Sequence, residues 1–207
     1  MALSNYTELQ ASIASWLNRD DLTSQIPDFI LMAEARFNRD FINEGKTPPR
    51  EMEGSADLTV NAQSVALPSD FLRLRRLYLN TSPIRPLQYV SPHTFWQSWA
   101  GSQTGKPEVF TIEGANALFG STPDGSYTGK LSYYQKIPDL ATNSTNWLLT
   151  LSPDMYLYAA LLCAEPFLMN DARLQTWTTL YAEAEDSLLN RGDSHGGVIN
   201  YQPKVSP

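Results

Sequence analysis

Apolar residues recur with helical spacing at both ends of the chain. The first block runs from Tyr6 to Phe41 and contains two amphipathic stripes, separated by the polar residues 18–21. Pro27 fits the first turn of the second helix, where its missing amide needs no partner. The two stripes consist of Leu9, Ile13, Trp16 and Leu17, then Ile26, Ile30, Ala33, Phe37 and Phe41. Each of these helices needs a partner for one face.

Polar residues of the same block predict where its helices begin and which face meets solvent. Thr7 and Gln10 have the spacing of a capping box, so we expect the first helix to start there. The second helix carries charged side chains opposite its apolar stripe, and this face is predicted to meet solvent or another subunit. These side chains are Asp28, Glu34, Arg36 and Asp40.

The second helical block runs from Asn146 to Arg191. Its segment Met155–Ala164 is apolar nearly all the way round, which predicts a helix buried on most sides. Pro166 is expected to kink or end this helix near Ala164. A narrow apolar stripe then predicts a last helix that packs along another and stops at Gly192. The stripe consists of Leu174, Trp177, Tyr181, Ala184 and Leu188.

The middle of the chain has the alternation and turn residues of β-strands. We expect a hairpin of Ala56–Val60 with Ser64–Leu67, followed by a strand at Phe71–Leu79. In that strand the alternation slips near Arg75 and Arg76, which predicts a bulge or burial of both faces. A three-stranded meander turned at residues 113–114 and 124–125 should follow. Its strands are Val109–Ile112, Ala117–Phe119 and Thr128–Tyr134.

These patterns together predict an α+β fold. Neither helical block can complete a core alone, so N- and C-terminal helices should form one helical bundle with an inserted antiparallel β lobe. We expect residues 1–45 and 146–192 to form the bundle and residues 50–137 to form the β-rich lobe. Residues 193–207 have no periodicity and should be a flexible C-terminal tail.

Charge and cysteine content narrow the function. The 207 residues include 15 Lys and Arg against 22 Asp and Glu, a formal net charge of −7. This balance disfavours a sequence-independent grip on nucleic acid, which requires neutralisation of phosphates. Cys163 is the only cysteine and lies in an apolar run, so an internal disulfide is excluded. No segment has the length of a membrane span, and we expect neither metal nor cofactor.

Three arginines and a C-terminal apolar group are the candidate partner-binding residues. Arg73, Arg75 and Arg76 could form a patch facing DNA, but in an acidic chain a salt-bridged subunit contact is the favoured interpretation. In the tail, we expect Val198, Ile199 and Tyr201 to anchor on a partner protein or on a neighbouring subunit.

Catalytic residue types are sparse in the sequence. His93 has no ligand or base partner at a suitable spacing and is expected to be a surface residue. Glu113 and Glu165 are the candidate carboxylates of a peptidoglycan hydrolase, but neither has an evident partner. A short helix after Ser91 should display Phe95, Trp96 and Trp99. A carbohydrate- or receptor-binding module that uses the two tryptophans is the other open alternative.

Several segments resemble the head-to-tail adaptor, or connector, proteins of short-tailed bacteriophages. The similar segments lie in the same order as in that family and span most of the chain. They are Tyr6–Phe41 with its Ser15–Asp21 and Ala33–Arg36 cores, Val65–Arg76, and the stretch from Tyr133-Tyr134 through Asn146–Leu149 into Tyr156–Leu161. The tail beyond Gly192 is the part least typical of the family.

The resemblance implies a structural virion protein and no enzyme. Such an adaptor forms a homo-oligomeric, dodecameric ring at the head-tail junction, where it joins the portal protein to a tail or nozzle protein. DNA leaves through the ring without specific binding, and an acidic chain suits that passage because it does not attract phosphates. A ring of one chain needs two different contact surfaces per subunit.

Overall fold

The computed structural model of the chain describes residues 3–43, 46–99, 104–169 and 171–193. The α+β prediction is confirmed. The described residues form two compact units, one of residues up to 51 together with those from 137, and one of residues 52–136. We call them the helical unit and the β unit.

The helical unit contains five of the helices in the described part of the chain. Its central helix, α5, contacts α1, α2, α4 and α6 and is buried along most of its length, as the sequence predicts. The helices are α1 (Tyr6–Leu17), α2 (Ile26–Asp40), α4 (Trp147–Leu151), α5 (Pro153–Phe167) and α6 (Leu174–Asp193). A further helix, α3 (Pro92–Ser98), belongs to the β unit.

The ends of three helices differ from the prediction. The N-cap of α1 is Asn5, not Thr7, because the Asn5 side chain accepts the Glu8 backbone N–H at 3.0 Å. Pro166 lies in the last turn of α5, which ends at Phe167, so this proline ends the helix slightly later than expected. Gly192 does not stop α6, which continues to Asp193; a single glycine weakens a helix without ending it.

Aromatic rings pack at the centre of the helical unit. Phe37 of α2 meets Tyr156 of α5 edge-on, with ring centroids 5.0 Å apart, and stacks on Tyr181 of α6 at 6.3 Å. The predicted apolar stripes of α1, α2 and α6 are buried here, with two exceptions: Trp16 is exposed and Leu174 is half-buried. The predicted stripes and the predicted apolar run of α5 together identify most of the core of the helical unit.

Glu34 was predicted on the outward face of α2, and that prediction is wrong. The side chain is only 3% exposed. Its Oε1 accepts the backbone N–H of Leu140 at 2.9 Å and the Tyr156 hydroxyl at 3.3 Å. Asn146 donates to the same hydroxyl at 2.6 Å. The carboxylate thus fixes the segment that leads into α4, a role that helical periodicity cannot reveal.

The β unit consists of two four-stranded sheets. The first has the strand order β1-β8-β3-β4 and the second β2-β7-β6-β5. All pairs are antiparallel except β5 with β6, which is parallel, so the lobe is not purely antiparallel. The strands are β1 (Glu53–Val60), β2 (Ser64–Ala66), β3 (Phe71–Leu79), β4 (Arg85–Pro86), β5 (Gln88–Tyr89), β6 (Val109–Glu113), β7 (Asn116–Gly120) and β8 (Tyr127–Gln135).

Two predicted strand pairings are wrong. β1 and β2 do not form a hairpin, because β1 pairs with β8 and β2 pairs with β7. The hairpin of β6 and β7 forms, with Gly114 at a φ of +59° in its turn, but β8 lies in the other sheet. The segment at 124–125 therefore connects two sheets. Alternation identifies strands but not which strands pair.

The two sheets of the β unit share one hydrophobic core. Leu58, Val60, Leu77 and Leu131 contribute from the first sheet. Ala117, Phe110 and Phe119 contribute from the second. The β3–β8 register shifts between Phe71 and Arg73 and between Leu74 and Arg76, which confirms the predicted bulge.

Candidate interaction site

The first half of β3 forms an open edge of its sheet. β8 covers one side of β3 along its whole length, whereas β4 pairs only with Tyr78 and Leu79 on the other side. Within residues 52–99 and 104–136, no strand pairs with Phe71–Arg76 on the side away from β8. We call Phe71–Arg76 the open edge. Such an edge offers backbone hydrogen-bonding groups to another chain.

The sequence explains why β4 is too short to cover this edge. Pro83 and Pro86 flank Ile84 and Arg85, and neither proline can donate a ladder hydrogen bond. The chain crosses at Leu87 to the second sheet, where Gln88 and Tyr89 form β5. The two prolines were the available signal for this site, which the sequence analysis missed.

An apolar groove lies beside the open edge. The cavity has a volume of about 460 Å³ and is lined by Leu74, Leu77, Ile84, Leu87, Tyr89 and Phe110, among others. Ile84 is 62% exposed and Tyr89 is 51% exposed, although both are large and apolar in character. A surface of this kind is typical of a protein-binding site. We call it the β3 groove.

The three predicted arginines lie along this edge, and they are not equivalent. Arg75 forms an ion pair with Glu53 of β1 and places its guanidinium 5.6 Å from the centroid of the Tyr134 ring. Arg73 and Arg76 are exposed and form no ion pair with any of the residues that the structure describes. Charge at this edge is therefore only partly compensated.

Arg76 also borders a second, more polar recess. Arg75, Arg76, Tyr78 and Ser132 line this cavity of about 390 Å³. Its polar lining contrasts with the apolar β3 groove, and the two arginines border both cavities. A partner at this edge would meet backbone groups, apolar side chains and guanidinium groups together.

The beginning of β3 is held in place by Tyr133 of β8. Its ring stacks on Phe71 with centroids 5.6 Å apart, and its hydroxyl donates to Asp70 Oδ1 at 3.0 Å. Burial and the nearby Asp70 carboxylate raise the pKa of Tyr133 to about 12. At neutral pH the Tyr133 hydroxyl is therefore protonated and donates to Asp70, and this hydrogen bond holds the start of the open edge in place.

Formal charge is divided unequally between the two units. Residues 52–136 contain seven Lys and Arg against six Asp and Glu, a formal charge of +1. The remainder of the chain contains eight against sixteen, a formal charge of −8. The whole acidic excess therefore lies outside the β unit, while the β unit, which contains the three arginines of β3, is nearly neutral.

Trp96 of α3 and Trp99, which follows the helix, have different environments. Ser91 caps the helix, as predicted, by accepting the Thr94 N–H at 3.2 Å. Trp96 is 52% exposed and donates to Glu113 Oε2 at 3.1 Å. Trp99 is half-buried, with its side chain so close to the Gly120 backbone that a β-carbon there would lie 3.0 Å away. Glu113 is thus an acceptor for an indole.

The remaining candidate groups for chemistry belong to different units. His93 is exposed on α3 in the β unit, as predicted. Glu165 belongs to the helical unit, is only 1% exposed, and accepts the Trp177 indole N–H at 2.8 Å. Across the described ranges, no group of three or more His, Cys, Asp or Glu is placed to hold a metal ion. No described helix combines the length and hydropathy needed to cross a membrane.

The candidate residues of the C-terminal tail lie outside the described residues. These are Val198, Ile199 and Tyr201. The structure brings Arg73, Arg75 and Arg76 to one edge of a sheet. It also places Ile84 and Tyr89, which were not predicted as site residues, in the groove beside that edge. An exposed groove, uncompensated arginines and unequal charge are features of a protein that binds other proteins.

The sequence matches the SU10 adaptor protein family over residues 4–201, and the chain belongs to this family. It is therefore a structural head-to-tail adaptor of a bacteriophage, as the resemblance implied. No curated protein matches the sequence.

Proposed function

We propose that the chain assembles into a dodecameric ring that joins the portal protein to a tail or nozzle protein at the head-tail junction. Family membership supports the adaptor role. The observation that carries the ring is the charge division, −8 against +1, together with the exposed arginines of β3. A closed ring needs two different, complementary surfaces on each subunit, and these charges supply them.

In this proposal the subunit contact includes Arg73 and Arg76. Neither has an ion-pair partner in the described part of its own chain, so both are free to meet carboxylates of a neighbour. Arg75 contributes less, because Glu53 already compensates its charge. Rim charges of this kind set orientation and the rate of association more than they set affinity.

DNA passes through the proposed ring without specific binding. Binding of a phosphate backbone requires clustered Lys and Arg, and the helical unit carries the opposite excess. We therefore propose that acidic residues of the helical unit line the channel. Glu113, Glu165 and His93 have no catalytic role in this proposal: the two carboxylates accept indole N–H groups, and His93 is exposed on α3.

We also propose that the C-terminal tail is a docking arm. Val198, Ile199 and Tyr201 are apolar residues in an otherwise polar segment, and they would anchor the tail on the portal or on a neighbouring adaptor. Deletion of residues 195–207 tests this role. A truncated protein that attaches to portal-containing heads with unchanged affinity would exclude it.

Cryo-electron microscopy of the purified protein mixed with its portal tests the ring. We expect a ring of twelve subunits bound beneath the portal, with the β3 arginines at the subunit boundary. Arg76→Glu should reduce ring formation. Arg39→Glu is the matched control, because it makes the same charge change at an exposed residue of α2. Equal ring formation by both variants would contradict the proposed contact.

A further inference from the structure

The open edge of β3 has the features of a site for an added strand. Phe71–Arg76 has six residues, about the length of a typical strand, and its outer side has no strand partner in the β unit as described. The β3 groove borders the second half of this edge, Leu74–Arg76, and provides apolar contacts for side chains of an incoming strand. A strand edge with unpaired backbone groups beside an apolar groove suits the addition of a strand better than the docking of a flat protein surface.

The arginines of the edge restrict which strand can be added. A second copy of β3 would bring its own three arginines against Arg73, Arg75 and Arg76, and like charges on opposing strands are destabilising. A lysine- or arginine-rich segment is disfavoured for the same reason. The added strand must be neutral or acidic, and rich in β-branched or aromatic residues.

The C-terminal segment of this chain meets these requirements. Val198–Tyr201 contains two β-branched residues and an aromatic residue, and no Asp, Glu, Lys or Arg occurs between Ser194 and Pro203. Gly196 and Gly197 precede it and Pro203 follows it, which limits it to a short strand. Alternation places Ile199 and Tyr201 on one face.

We propose that Val198–Tyr201 of one copy adds as a strand to the open edge of a neighbouring copy, with Ile199 and Tyr201 in the β3 groove. This inference rests on the proposed ring, because a neighbour must lie within reach. Tyr201 follows Asp193, the last described residue of α6, by eight residues, a reach of about 28 Å when extended. A contact from the segment of one subunit to the edge of the next repeats around a ring and closes it.

Binding of a peptide of the C-terminal tail to the β3 groove tests the inference directly. The probe is a labelled peptide of residues 194–207, and the receptor is the chain without residues 195–207, so that no intact tail competes. We expect saturable binding in fluorescence anisotropy and at least tenfold weaker binding by the Ile84→Glu receptor. Ile84 is exposed, so this change should leave the fold intact. Leu31→Glu, at an exposed residue of α2, is the matched control and should bind as the parent does.

Complementation between two variants tests whether the contact is intermolecular. The tail-deleted chain keeps an intact groove, and the full-length Ile84→Glu chain keeps an intact tail. We expect a 1:1 complex in native mass spectrometry when the two are mixed, since together they can make one contact. A mixture that forms no complex, although the peptide binds, would place the tail on its own chain and overturn the inference.

The outcomes separate this inference from the proposed function. If the tail-deleted protein still forms a ring with the portal and the peptide does not bind at about 1 mM, strand addition is wrong while the adaptor ring stands. If no ring forms under any condition but the peptide binds the groove, the proposed ring is wrong instead. Protection from hydrogen exchange at the amides of Leu72–Arg76, seen only with the peptide, would support strand pairing itself.

Discussion

Replacement of Glu34 by alanine should destabilise the helical unit strongly. The Glu34 carboxylate is buried and accepts the Leu140 N–H at 2.9 Å and the Tyr156 hydroxyl at 3.3 Å. Alanine leaves both donors without this acceptor. The buried Leu140 N–H then has no partner, which costs about 1–3 kcal/mol. The Tyr156 hydroxyl keeps the hydrogen bond from Asn146, so the loss of its own acceptor adds a smaller cost. A total stability of about 5–15 kcal/mol is typical of a domain.

Urea unfolding at pH 7, followed by circular dichroism and tryptophan fluorescence, measures this loss. Glu34→Gln keeps a carbonyl acceptor in place and should lose clearly less stability than Glu34→Ala. Glu183→Ala, at an exposed position of α6, is the matched control and should change stability by less than about 0.5 kcal/mol. A loss below about 1 kcal/mol for Glu34→Ala, or equal losses for both Glu34 variants, would refute the reasoning.

Three further predictions follow from single residues. Leu161→Asp places an unpaired charge at a fully buried position of α5 and should cost several kcal/mol, enough to unfold the helical unit, whereas Leu31→Asp should not; circular dichroism distinguishes them. The contribution of Tyr133 is complete below pH 10 and is lost as pH rises towards its folded pKa of about 12, so Tyr133→Phe should lessen alkaline destabilisation in denaturant titrations; an unchanged pH profile would contradict this. Alanine at Glu113 should leave particle infectivity largely intact, and lysis of cell walls by the wild type but not this variant would contradict a purely structural role.

Local features of the chain could be predicted because they depend on neighbours in sequence. The stripe of α2, the fully apolar run in α5 and the bulge of β3 all follow from periodicity, and the structure contains each of them. The Ser91 cap of α3 follows from local chemistry in the same way. The three arginines of β3 could be singled out from sequence, because charged residues that interrupt a strand pattern are visible there; their role in a subunit contact stays a prediction.

Features that depend on contacts distant in sequence could not be predicted. Glu34 looks like a solvent-facing residue until Leu140 and Tyr156 are brought against it. The Asp-Gly step at 124–125 looks like a hairpin turn, yet β8 pairs with β1 and β3. In both cases the same local pattern is compatible with several distant partners.

The sequence by itself determined the α+β class, the helical blocks at both ends of the chain, the β-rich middle, the acidic balance and the adaptor family. Each depends on composition, on periodicity or on the order of motifs along one chain. Only the tertiary structure decided which strands pair, which carboxylate is buried, and that β3 keeps an open edge beside Ile84 and Tyr89. Pairing and burial are settled by the total free energy of competing arrangements, and that comparison involves residues far apart in the sequence.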